Sequence, residues 1–202
     1  MAQDFGLQDI LSDAFETFKA HFGVLLSGFV VYMLLLRVAH MFPLVILFVW
    51  PHLVLGYFLL MLTAVRGQDT PRFIDIFQGF SYYVPVFVTG LLMTILVLLG
   101  VICLVVPGII LGLMWSQTMF LLADDIRSKS ALSGWGAMQR SAALMDGQKL
   151  RFCGYSLVLA LIGVSGILVV GIGALVTMPF AGLALAAFYN RLTQTADPPA
   201  SP

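Results

Sequence analysis

Charge is what this sequence has least of. Asp, Glu, Lys and Arg make up 10% of its 202 residues, hydrophobic residues make up 60%, and mean hydropathy is +1.02. A soluble domain carries about 25% charged residues, so this chain cannot cover a water-facing surface. Lipid must be the solvent for most of it. The formal net charge of zero says nothing about nucleic acid, but no basic stripe runs along the chain to hold phosphates, so no nucleic-acid partner is expected. Cysteine is scarce too: Cys103 and Cys153 lie 50 residues apart without CxxC spacing and read as packing residues rather than metal ligands or a disulfide. The first twenty residues hold four acids and one lysine, without the basic start and apolar core of a cleavable leader. The first span is therefore expected to act as its own insertion signal.

Catalytic constellations are also missing. No HExxH, Walker loop or GxGxxG occurs. Gly163-Val164-Ser165-Gly166 has the GxSG form of an intramembrane serine protease, but no histidine follows His52 to serve as base. Asp146-Gly147-Gln148-Lys149-Leu150-Arg151 resembles part of a phosphatidyltransferase signature without its downstream acids. Asp124-Asp125 lacks the second acidic cluster of a magnesium–diphosphate site. These absences speak against an enzyme and against a resident cofactor.

What is present is long apolar runs. A span needs about 20 apolar residues. Phe22 to Leu36 is one run, closed by Arg37 to His40, and Phe42 to Val65 is a second, ended by the RGQDTP segment 66–71. Val84 to Ala123 and Phe152 to Tyr189 carry no charge over 40 and 38 residues, each long enough for two spans. Turns are expected at Val106-Pro107-Gly108 and near Gly171-Ile172-Gly173. The alternative is that these turns stop short of the far surface as re-entrant hairpins.

Before each pair of runs lies a short amphipathic stretch. Leu7, Ile10, Leu11, Ala14, Phe15, Phe18 and Phe22 follow one helical face, opposite Asp9, Asp13, Glu16 and Lys19. Thr70-Pro71 reads as the N-cap and first turn of a second helix with Phe73, Ile76, Phe77 and Phe80 as its stripe. Leu132, Trp135, Met138, Ala142 and Met145 form a third stripe, ended by Gly147. The expected architecture is all-α: six transmembrane helices as three hairpins, each preceded by a cytoplasmic amphipathic helix. It forms a single polytopic domain over 1–194, in units 1–66, 67–125 and 126–194, with a disordered tail over 195–202. A weak D-x-F-x-x-F echo, Asp13-Phe15-Phe18 against Asp75-Phe77-Phe80, is compatible with threefold duplication.

The charges set the orientation. Nine of the ten basic residues, and all ten acids, fall on the side of the termini; Arg37 stands alone opposite. By the positive-inside rule both termini are cytoplasmic. Residues 1–20 carry net −3 and 124–151 net +2. An acidic surface helix suits the protein's own basic segment, or a partner, better than anionic lipid.

Val106-Pro107-Gly108-Ile109, Ala123-Asp124-Asp125, the run Ala137-Met138-Gln139-Arg140-Ser141-Ala142-Ala143-Leu144 and Gly147 together resemble a group of bacterial six-helix membrane proteins. The group includes the membrane domains of some glycerophosphodiester phosphodiesterases. The resemblance covers about a fifth of the chain well. It implies the six-helix architecture and a bacterial inner membrane; no residues here match a phosphodiesterase domain, so that chemistry does not transfer.

Three sets of residues remain as candidates. His52, in Val49-Trp50-Pro51-His52 within the second run, could ligate a haem or pigment metal, or donate to a carbonyl freed by Pro51. Asp13, Glu16, Asp124, Asp125, Arg140 and Trp135 are candidates for contact with a membrane-protein partner or a second copy. Gly108 and Gly112 form a GxxxG that would let the fourth span pack closely; its alternative is a turn glycine with a chance companion. Ser116, Gln117, Thr118 and Asn190 are expected to bridge helices or lie near helix ends. The functional expectation is a non-catalytic accessory, scaffold or assembly subunit; the alternative is a small permease or a lipid- or peptide-handling transporter.

Overall fold

The computed structural model describes residues 6–67, 69–128, 130, 133–168 and 173–196. Lys129, Leu132, the Gly171-Ile172 part of the expected turn, and 197–202 lie outside the described residues. Among those described there is no strand. The helices are α1 (Leu7–Ala20), α2 (Phe22–His40), α3 (Pro43–Arg66), a 3₁₀ helix (Phe73–Tyr82), α4 (Tyr83–Cys103), α5 (Val105–Met114), α6 (Thr118–Arg127), α7 (Gly134–Leu144), α8 (Lys149–Leu168) and α9 (Ala174–Ala196). Thr195 and Ala196, expected in the tail, complete α9.

Six helical stretches are long and apolar enough to cross a bilayer: Phe22–His40, Val45–Arg66, Phe73–Cys103, Val105–Arg127, Lys149–Gly166 and Ala174–Thr195. α3 is the hub, packing against α2, the 3₁₀ helix, α4, α6 and α9. Its middle is correspondingly the most buried part of the molecule, with Leu55, Leu60, Met61 and Leu62 at 0% exposure. α2 packs on α3, α4 on α5, and α8 on α9. Between helices in lipid there is little hydrophobic gain, so close approach and polar contacts must supply the association. Two backbone approaches do so here. A Cβ on Gly56 would lie 1.8 Å from the Ile76 carbonyl oxygen, and one on Gly79 would lie 2.2 Å from that of His52. Glycine at 56 and 79 is what lets the 3₁₀ helix lie directly on α3.

Several local expectations are revised. The second surface segment starts at Arg72 rather than Thr70-Pro71, because the Asp75 carboxylate reaches back to accept from the Arg72 N–H at 3.0 Å. It is a 3₁₀ helix with three residues per turn, which turns the apolar stripe: Ile76 and Gly79 are buried while Phe73 and Phe77 stay 48% and 42% exposed. In α1 the buried face is Ile10, Ala14 and Phe18, with Phe15 and Phe22 outside. In α7, Ala137, Met138, Ser141 and then Met145 are buried, and Trp135 faces outward. Gly147 does follow that helix, at φ 71°.

The turn expected at Val106-Pro107-Gly108 lies earlier, at Leu104 (φ −161°, ψ 132°). Pro107 sits in the first turn of α5, where its missing N–H is not needed. Gly108 packs against α4, since a Cβ there would come within 2.5 Å of the Val101 nitrogen. Gly112 does not share this role: nothing lies within 4 Å of a Cβ built on it. Of these two glycines Gly108 makes the close approach alone, so among the described residues the GxxxG spacing does not act as a packing motif. Cys103 and Cys153, expected as packing residues, are both free and exposed, one at the C-terminal end of α4 and one in α8.

Candidate functional site: an ion-pair belt at one end of the bundle

The fourth span, Val105–Arg127, is interrupted at 115–117, between α5 and α6. An interrupted helix leaves backbone groups that need partners. Ser141 of α7 supplies two: its hydroxyl donates to the Met114 carbonyl at 2.7 Å and accepts from the Gln117 N–H at 3.2 Å. Ser141 is fully buried at this junction. The Gln117 side chain donates to the Ser116 hydroxyl at 3.0 Å. The oxygens Oε1 of Gln117 and Oγ1 of Thr118 are buried without a protein partner.

Beyond this break, α6 carries Asp124, Asp125 and Arg127 to the end where α3 and α9 also place their charges. Gly67, with φ 61°, stops α3 one residue after Arg66. The Arg66 guanidinium takes Asp124 in a two-pronged pair, Nη1–Oδ1 at 2.5 Å and Nη2–Oδ2 at 2.9 Å. Its Nε donates to Oδ1 of Asn190 at 3.2 Å, and the Tyr189 hydroxyl donates to Asp124 Oδ2 at 2.6 Å. Three helices, α3, α6 and α9, thus meet on one carboxylate. Arg66 and Asp124 side chains are only 21% and 23% exposed. Such a pair holds only when its remaining valences are filled, and Tyr189 and Asn190 fill them.

Around this centre run further pairs. Asp125, 7% exposed in its side chain, is paired with Arg140 of α7 and accepts from the Ser130 hydroxyl at 3.2 Å. Arg191 of α9 grips Asp13 of α1 through Nε at 2.7 Å and Nη2 at 2.5 Å. The acidic α1 therefore docks on its own chain, on α9 rather than on the 124–151 segment. Arg127 donates to the Thr63 hydroxyl at 2.7 Å and to Asp69 at 3.1 Å.

The structure thus brings Asp13, Asp124, Asp125 and Arg140 together in one belt. Glu16 and Trp135 stand apart. Among the described residues Glu16 meets Lys19 of its own helix, at 3.4 Å, and Trp135 is 56% exposed. Asn190 bridges helices as its polarity suggested. Ser141 entered the sequence reading only as part of the run that carries the resemblance, and Arg66 and Tyr189 were not singled out as site residues: nothing local distinguishes an arginine at a span end, or a tyrosine near the end of another, until the partner is known.

His52 is buried in the middle of α3. Its Nδ1 lies 2.8 Å from the Phe48 carbonyl oxygen and its Nε2 3.0 Å from that of Tyr83, while the ring stacks on Phe80 and Tyr83 at centroid distances of 5.2 and 4.3 Å. Pro51 removes the donor for Leu47, four residues back; His52 meets the Phe48 and Tyr83 carbonyls instead. Neither nitrogen presents a lone pair to open space, so the geometry favours a clasp between α3 and α4 over a ligand. Among the described residues no group of three or more His, Cys, Asp or Glu is placed to hold a metal ion. The Ser165 hydroxyl donates to the Ile162 carbonyl of its own helix at 2.7 Å.

No protein-family model, curated protein or solved structure matches this chain.

Proposed function

We propose that this chain is a six-span accessory or assembly subunit of a bacterial inner membrane. Its three hairpins each follow a cytoplasmic surface helix, both termini are inside, and the protein holds a membrane-protein partner or a second copy. The observation that carries this reading is the way ionisable groups are used. Arg66, Asp124, Asp125 and Arg191 lock helices to one another at one end. Away from the span ends, His52 is the single described His, Asp, Glu, Lys or Arg, and both its nitrogens face backbone carbonyls. A coupled carrier needs an ionisable group near midplane that can exchange its partners. A helix-locking belt instead makes a fixed platform. Trp135 on the surface helix α7 (56% exposed) and Leu150 at the start of α8 (87% exposed) are apolar groups left for a partner. The likeness of residues 106–147 to six-helix bacterial proteins supports the same architecture.

Two measurements test the reading. A cytoplasm-dependent reporter fused after Arg66 or Lys149 should be active, and one at Val38 silent; activity at Val38 overturns the orientation. Purified protein in proteoliposomes should show no flux driven by an imposed pH or sodium gradient. Gradient-driven flux that His52→Ala abolishes would instead establish the transporter.

A further inference from the structure

A cavity of about 270 Å³ opens between the C-terminal ends of α3 and α6 and the 3₁₀ helix, and its lining is mostly polar. That is just below the size of small-molecule sites, about 300–1,000 Å³. Arg72, Asp75 and Gln78 line one wall. Their spacing of three is the period of the 3₁₀ helix, which stacks them on one face; an α-helix would fan them apart. The opposite wall is Arg127, with Thr63 behind it and Asp69 beside it.

The groups differ in how far they are committed. Asp75 is 10% exposed in its side chain and already accepts from the Arg72 N–H at 3.0 Å and Gln78 Nε2 at 2.8 Å. The Arg72 guanidinium stands 3.8 Å from it, beyond hydrogen-bonding length, and is 70% exposed. Arg127 is 18% exposed, and its bonds to Thr63 and Asp69 use two of the five N–H groups an arginine carries. Asp69 is 75% exposed. Two guanidinium groups therefore flank the cavity with donors to spare, and one carboxylate stands at the mouth. Planar guanidinium forks match phosphate oxygens, and an outlying carboxylate matches an ammonium. With two arginines against two aspartates, the lining favours a ligand of both signs over a bare anion.

We propose that this cavity binds a phosphoethanolamine group, with its phosphate between Arg72 and Arg127 and its ammonium at Asp69. The cavity borders the apolar run that begins at Phe73, and Phe73, Ile74 and Phe77 on the remaining faces of the same helix are 42–50% exposed. Acyl chains have a surface to lie on there, so the favoured source is the headgroup of phosphatidylethanolamine in the adjoining leaflet. A soluble phosphoethanolamine compound carries the same chemistry.

The test is native mass spectrometry of the full chain in mild detergent, with phosphatidylethanolamine or phosphatidylglycerol added at equal mole fraction. Phosphatidylethanolamine should be retained preferentially. Arg72→Gln, at an exposed position, should cut its retention roughly tenfold, as loss of a hydrogen bond to a charged group does, while Arg72→Lys should keep part of it. Asp69→Asn should erase the preference over phosphatidylglycerol. Displacement of bound lipid by an equal concentration of O-phosphoethanolamine would assign the site to the soluble source. Equal retention of both lipids by the unaltered protein, no retention of either, or undiminished retention by Arg72→Gln would overturn the proposal.

Discussion

Removing Asp124 should do more damage than removing any other carboxylate of this protein. Asp124→Ala leaves Arg66, four-fifths buried in its side chain, without its anion, and takes the acceptor from Tyr189. Breaking one side of a buried pair costs about 3–5 kcal/mol. At roughly 2–4 °C per kcal/mol for a chain of this size, the unfolding midpoint should fall by about 6–20 °C. Asp124→Asn keeps one acceptor and should fall less. Tyr189→Phe removes a single hydrogen bond to a charged group and should cost about 1.5–3 kcal/mol. Because that hydroxyl acts through the same carboxylate, the double variant Asp124→Ala/Tyr189→Phe should lose less than the two single losses together, by about 1 kcal/mol or more. Glu16→Gln is the control. Its pair with Lys19 is 71% and 57% exposed, and pairs of that kind contribute little. The assay is thermal unfolding of purified protein in one detergent at fixed ionic strength. A midpoint for Asp124→Ala within about 2 °C of the parent, or additivity within about 0.5 kcal/mol in the cycle, would refute the three-helix lock.

Ser141→Ala should cost about 1–3 kcal/mol, since the Gln117 N–H and Met114 C=O at the α5–α6 break lose the Ser141 hydroxyl that pairs with both; Ser141→Thr or →Cys, which keep a polar group, should recover part of it in the same melt. His52→Gln should retain fold and expression level, whereas His52→Leu should lose roughly 1–2 kcal/mol; a Soret or pigment band in the parent, absent from both variants, would make His52 a ligand instead. Gly56→Ala forces a methyl group to within 1.8 Å of the Ile76 carbonyl oxygen, where backbone must move, and should abolish a monodisperse gel-filtration peak, while Gly112→Ala, with open space at its Cβ, should leave that peak unchanged.

The long apolar runs were legible because a membrane imposes length directly: the six spans lie on four long apolar runs and carry Asp, Glu, Lys or Arg only near their ends. Local geometry was less legible where the helical period changed. The Phe73, Ile76, Phe77, Phe80 stripe assumes 3.6 residues per turn. The glycines at 56 and 79 draw this segment onto α3, and with three residues per turn it turns Ile76 inward and leaves Phe77 out. The D-x-F-x-x-F echo shows the same limit. Asp75 accepts from the start of its own helix, whereas Asp13 reaches across to Arg191, so identical letters serve different bonds.

The belt was legible as composition and not as pairing. The tally of nine bases and ten acids on one side led to the expectation of a charged end, and Asp13, Asp124, Asp125 and Arg140 were singled out there as groups for a partner. Which charge meets which depends on helices whose sequence separation is 58 residues for Arg66–Asp124, 65 for Tyr189–Asp124 and 178 for Arg191–Asp13, and no local pattern encodes separations of that size. Physics narrows the choice afterwards. A charge at the edge of an apolar layer is costly alone and is screened little by salt, so Asp124 and Asp125 each take a guanidinium of their own chain once the spans assemble. Groups left outward-facing, Glu16 with 71% and Trp135 with 56% exposure, are not used in that assembly. A partner that meets this protein at its charged end therefore has to be recognised chiefly by the second set, and competition for the first set would loosen the bundle itself.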